Sequence, residues 1–143
     1  MKDFRHSQLT LGVIGAGVMG RGIAQVAAAA GVDVILSDVD AGACEQALGF
    51  IEKMLDRAAE KGWMKPEDAA AAKARLQITS GLDELAAADV VIEAIVEKIE
   101  VKQALFHELE KRVAGECILA TNTSSLSVTA IAAGCDAPGR VAG

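Results

Sequence analysis

Short apolar runs alternate along this chain with longer stretches in which apolar residues return every three or four positions. That alternation predicts an α/β fold. Residues 9–14 form an apolar run too short for a helix and read as a buried first strand. Residues 18–30 follow as a helix, stopped at Gly31 because glycine readily takes the left-handed conformation that ends helices. Residues 32–37, rich in β-branched side chains, form the second strand. Asp40 is then placed to cap a long helix in which Leu48, Ile51, Leu55 and Ala58 share one face, ending near Gly62. Lys65-Pro66-Glu67-Asp68 opens another helix, with proline and acids in the turn where a helix tolerates the one and favours the other. These two make a helical pair inserted between the second strand and the third, residues 76–79. A short helix (83–88), a fourth strand (90–92), a long helix (99–114), a fifth strand (118–121) and one or two more helical turns (127–133) follow. Residues 140–143 read as the start of a sixth strand, truncated at the chain end.

The turn between the first strand and helix, Gly15-Ala16-Gly17-Val18-Met19-Gly20, has the spacing of the dinucleotide-binding fingerprint, and eighteen residues past Gly20 the second strand runs into Asp38. Gly15 permits the tight turn, Gly17 lets the backbone approach a pyrophosphate, and Gly20 lets the helix pack close to the sheet. The positive end of that helix, at Val18 and Met19, then faces the phosphates. The predicted fold is a Rossmann-type, doubly wound parallel sheet in strand order 3-2-1-4-5-6. Asp38 selects the cofactor: a carboxylate there accepts the adenine ribose hydroxyls and repels a 2′-phosphate, and Val39, Asp40 and Ala41 supply no cation to hold one. The cofactor is therefore expected to be NAD. The alternative, that an acid here only caps the next helix, suits Asp40 better than Asp38.

At 143 residues with 52% hydrophobic content, the chain is long enough for one domain with a sizeable core. A net charge of −6, no Tyr, one Trp and three Phe argue against nucleic acid and anionic membranes as partners. Anionic ligands must be held locally, by helix N-termini and single lysines. Cys44, Cys117 and Cys135 are odd in number and widely spaced, with no metal-ligand pattern, and read as reduced, buried thiols of a cytoplasmic protein. The N-terminal residues carry no apolar leader segment.

Three more features fall at the carboxyl ends of predicted strands, where such folds bind ligands. They are Glu93-Ala-Ile-Val-Glu97, Lys102 early in the following helix, and Thr121-Asn122-Thr123-Ser124-Ser125. Each has a plainer reading: Glu97 favouring a helix N-terminus, Lys102 a solvated charge, and Ser124, Ser125 or Ser127 a helix cap. Their common location favours a site.

Together, GVIGAGVMGRGIAQ, Asp38, VVIEAIVE, EVKQALF and TNTSSLSV resemble the N-terminal half of the L-3-hydroxyacyl-CoA dehydrogenases, from about Leu9 to Gly143. The resemblance implies that Gly15, Gly17, Gly20 and Asp38 hold adenosine and pyrophosphate, and that Glu97 and Lys102 lie along the nicotinamide ribose. It also implies that Ser124 bonds the substrate's 3-oxygen, that Asn122 shapes the same turn, and that Lys61 contacts coenzyme A. Lys98 departs from the family, whose members usually have Asn there. The implied reaction oxidises carbon 3 of a hydroxyacyl-CoA, with hydride passing to NAD and a histidine, oriented by a glutamate, as general base.

That histidine would fall two residues past Gly143, and neither His6 nor His107 matches its position. The expectation is therefore a cofactor domain, 1–143, that binds NAD without turnover, from a homodimeric parent whose C-terminal helical domain completes the substrate cleft. Such a domain would leave an apolar surface and a sheet edge exposed. A stand-alone NAD-binding module and an L-gulonate-type dehydrogenase are the competing readings.

Overall fold

The computed structural model describes residues 8–143; His6 lies outside them. Six parallel strands form one sheet in the order β3-β2-β1-β4-β5-β6. The strands are β1 (Thr10–Ile14), β2 (Asp33–Ser37), β3 (Leu76–Thr79), β4 (Val90–Glu93), β5 (Ile118–Thr121) and β6 (Val141–Ala142). The helices are α1 (Val18–Ala29), α2 (Ala41–Glu60), α3 (Pro66–Ala74), α4 (Ile99–Glu110) and α5 (Val128–Ala132). Strand order reverses between β1 and β4, so a crevice opens at their carboxyl ends.

Period-two alternation divides the apolar side chains between two faces. Leu11, Val13, Val34 and Leu36 join Ala24 and Ala28 of α1, Ile51 and Leu55 of α2, and Ala69 and Ala72 of α3. Ile14, Ile35, Val91 and Leu119 join Phe106 and Leu109 of α4 and Ile131 of α5 on the other face. On α1 the buried positions are Gly20, Ala24 and Ala28, small residues at four-residue intervals that let the helix lie close to the sheet. Gly31, at φ +98°, ends that helix. Asp40 caps α2 by accepting from the N–H groups of Gly42 (2.9 Å) and Ala43 (3.3 Å). The buried stripe of α2 is Cys44, Ala47, Ile51 and Leu55, so Leu48 and Ala58 sit at its margin.

Most bounds fall within a residue of expectation, the fourth strand running on to Glu93, and two elements differ more. Helix α4 ends at Glu110 rather than at 114: the Arg112 N–H bonds the Leu109 carbonyl at 2.9 Å, a tightened last turn that takes Val113 and Cys117 into the core. The expected helix at 83–88 is 3₁₀, Asp83–Ala87. The sixth strand forms over Val141–Ala142 and pairs with Leu119 and Ala120. Among the described residues no helix is long and apolar enough to cross a membrane.

Candidate functional site

The crevice has two sides, built differently. On the β1–β2 side the backbone does the shaping. Gly15 sits at φ +107°, and a Cβ there would also lie 2.6 Å from the Ala94 carbonyl oxygen. Gly20 does more than the sequence reading gives it. A Cβ on Gly20 would fall 1.6 Å from the Gly15 carbonyl oxygen but 3.6 Å from Val13, so its absence chiefly clears the turn's own backbone. Gly17 has nothing within 4 Å of a built Cβ, and no side chain caps α1 there. An uncapped N-terminus facing open space, with no acid in its first turn, suits an anion. Val18 and Met19 form that first turn, their side chains 72% and 57% exposed.

Asp38 ties the turn to β2. Its Oδ2 accepts from the Ala16 N–H at 2.9 Å and its Oδ1 from the Asp40 N–H at 2.9 Å. Asp38 is thus part of the loop's scaffold as well as an acid at the mouth of the crevice. Behind it lies a cavity of about 630 Å³, walled by Val39, Leu82, Ile95, Val101 and Leu105. An apolar slot bordered by a carboxylate and, beside it, an uncapped helix N-terminus fits an adenosine diphosphate moiety.

On the β4–β5 side the shaping is done by side chains. Glu93, the last residue of β4, and Lys102 on α4 are both completely buried. The Lys102 ammonium donates to both Glu93 oxygens at 2.7 Å and lies 3.1 Å from Glu97 Oε1. Glu93 also accepts from the Ile95 N–H at 3.0 Å and from the Thr121 hydroxyl. Glu97 Oε2 accepts from the hydroxyls of Thr123 and Ser125, the latter at 2.8 Å. The Thr123 and Ser125 hydroxyls, and then the Lys102 ammonium, hold the Glu97 carboxyl below its ordinary value. Asn122 and Ser124, on the same loop, are exposed.

The structure therefore brings Glu97, Lys102, Asn122 and Ser124 together and sets Gly15, Gly17, Gly20 and Asp38 opposite them across the crevice. Lys102 is not a solvated charge, and Ser127 is the helix cap, accepting from the Ala130 N–H at 3.1 Å. Lys61 stands apart, at the C-terminal end of α2, roughly 30 Å of helix from Asp40 by the 1.5 Å rise per residue. Its ammonium lies 4.7 Å from the centre of the exposed Trp63 ring. Glu93 and Thr121 open the two segments picked out from the sequence, but neither has a role of its own there. The available signal was a charged residue ending an otherwise apolar strand, VVIE.

Fold and crevice define a dinucleotide-binding domain of the doubly wound class. Residues 10–143 match the family described as "3-hydroxyacyl-CoA dehydrogenase, NAD binding domain", and the chain belongs to that family. It is 46% identical over 133 residues to the 3-hydroxybutyryl-CoA dehydrogenase of Bradyrhizobium diazoefficiens, covering 93% of this chain and 45% of the relative. It is 45% identical to the 3-hydroxyadipyl-CoA dehydrogenase of Escherichia coli, covering 94% of this chain and 28% of the relative. The crystal structure of 3-hydroxybutyryl-CoA dehydrogenase from E. coli superposes with a TM-score of 0.91 at 43% identity, over 94% of this chain and 29% of that one. The chain thus spans less than half the length of these relatives. Its cofactor is NAD.

Proposed function

We propose that this chain is the cofactor half of an enzyme that oxidises (S)-3-hydroxyacyl-CoA to 3-oxoacyl-CoA. Gly15, Gly17, Val18, Met19, Gly20 and Asp38 hold the adenosine and pyrophosphate of NAD, while Glu97, Asn122 and Ser124 face its second nucleotide, with Lys102 beneath them. NAD supplies the hydride acceptor. Ser124 is in addition the hydrogen-bonding group for the substrate oxygen, and Lys61 a contact for coenzyme A. Residues outside 8–143 supply the general base, since His107, the histidine among the described residues, sits half-buried within α4. The relatives named above act on acyl-CoA substrates by name, and their greater length leaves room for such residues. The homodimeric parent belongs to the same reading; the exposed side chains of Val18, Met19 and Val26 along α1 give a further surface an apolar place to pack.

One observation carries the cofactor assignment: the glycine turn, pinned by Asp38 through the Ala16 N–H, stands across the switch point from the Glu97 cluster. Calorimetric titration with NADH and NADPH tests it. NADH should bind at least about tenfold tighter, a difference of roughly 1.4 kcal/mol, and Asp38→Asn should narrow that gap. Equal affinity for the two in the unsubstituted chain would remove Asp38 from the role.

A further inference from the structure

Glu93 poses a question that cofactor binding as described leaves open. A carboxylate and an ammonium are buried together at the end of a strand, although an apolar pair of similar volume is often as stable or more so. Stability alone gives no reason for them. Their location does, because β4 ends at the ligand-binding edge of the sheet.

Hydrogen-bond bookkeeping narrows the role. An ammonium has three N–H donors. Those of Lys102 are taken by the Glu93 carboxylate, both oxygens of which lie at 2.7 Å, by Glu97 Oε1 at 3.1 Å and by the Ile95 carbonyl at 3.5 Å. No donor is left over for a ligand, and the Lys102 side chain has no exposed surface. Lys102 therefore acts through Glu97, whose side chain is 45% exposed. Glu93 in turn holds Lys102 from below. It also accepts from Thr121, whose own Oγ1 accepts from the Thr123 N–H at 3.2 Å, and its carbonyl accepts from the Asn122 N–H at 2.9 Å. Glu97 takes the hydroxyls of Thr123 and Ser125. One buried carboxylate thus fixes the loop after β4 and the loop after β5 relative to each other.

We propose that Glu93 is a positioning residue for the second nucleotide of the cofactor. Through Lys102 and Thr121 it sets Glu97 and the 122–125 loop, and it has no part in holding the adenosine half, which rests on Asp38 and the glycine turn. The inference rests on the NAD-binding reading above.

Calorimetry with ADP, ADP-ribose and NADH separates the two halves, because ADP carries the adenosine and pyrophosphate without the second ribose. The variants are Glu93→Gln, which keeps size and removes charge, and the double variant Glu93→Gln with Lys102→Met, which leaves no unpaired buried charge. In both, ADP affinity should stay within roughly twofold of the unsubstituted chain while ADP-ribose and NADH weaken by about tenfold. A purely structural role predicts otherwise. ADP and NADH would weaken together, or the double variant would recover NADH affinity, and either result overturns the proposal, as does unchanged NADH binding in Glu93→Gln. An unsubstituted chain that binds neither ADP nor NADH would instead overturn the cofactor reading, and the inference with it.

Discussion

The two sides of the crevice solve the same problem by different means. On the β1–β2 side, backbone geometry does nearly everything: Gly15 and Gly20 shape the turn, Gly17 leaves it open, and one carboxylate, Asp38, holds it through the Ala16 N–H. On the β4–β5 side the backbone is ordinary strand, and the shape comes from a chain of side chains running Thr121, Glu93, Lys102, Glu97, Thr123 and Ser125. A backbone-built half fails when space is filled. A network-built half fails when one charge loses its partner. The two halves should therefore respond to substitution with different signatures.

The largest effect belongs to the network. Lys102→Met leaves Glu93 buried without its cation, and breaking a buried pair from one side costs about 3–5 kcal/mol. Urea denaturation followed by far-UV circular dichroism should show a loss of that order. Adding Glu93→Gln to Lys102→Met should return most of it, because no uncompensated charge then remains. A Lys102→Met variant as stable as the unsubstituted chain would mean that Glu93 finds water or another cation, and the contrast between the halves would collapse.

Gly20→Ala tests the other half and should be milder in stability. Its Cβ would lie 1.6 Å from the Gly15 carbonyl oxygen, so the turn must shift, an overpacking cost of about 1–3 kcal/mol. The signature lies in binding. Moving the turn displaces the start of α1 as a unit, so ADP and NADH should weaken by the same factor, unlike the split expected from Glu93→Gln. Titration of both ligands against Gly20→Ala checks this, and a selective loss of NADH would contradict the division of labour.

This division also explains what could be read in the sequence. The glycine turn was legible because a backbone demand selects a residue type: Gly15 at φ +107° leaves glycine little competition. The strand order followed from alternation, and the Asp40 cap from residue type and place. The Glu93–Lys102 pair was not legible. An acid ending the apolar run VVIE hints at Glu93, but nothing in VVIEAIVEKIEVK says which lysine meets it, since the pairing spans nine residues and a loop. A solvated Lys102 fits the sequence equally well, and its full burial excludes it. The end of α4 is absent from the sequence pattern for a similar reason. The tightening at Arg112 answers a packing demand from Val113 and Cys117, which helical periodicity does not contain.

The smallest expected effect sharpens the comparison within the network itself. The Glu97 carboxyl is held below the ordinary glutamate value of 4.5, first by the Thr123 hydroxyl, then by Ser125 and then by Lys102. A carboxyl with a lowered value in the folded state contributes its share above the ordinary value and loses it as pH falls through the lowered one. The clasp between the two loops should therefore stay closed from neutral pH past the ordinary glutamate value and open only as pH falls through the lowered one. Carbon-13 NMR of the Glu97 carboxyl should show a midpoint below that value. Thr123→Val should raise the midpoint most and Ser125→Ala less, while Asp38→Asn on the opposite side leaves it unmoved. Because Glu97 is exposed, solvent screens the effect and global stability should barely change. A Glu97 midpoint that ignored Thr123 and Ser125 but followed Asp38 would show the two halves to be one electrostatic unit, and the distinction between backbone-built and network-built sides would no longer hold.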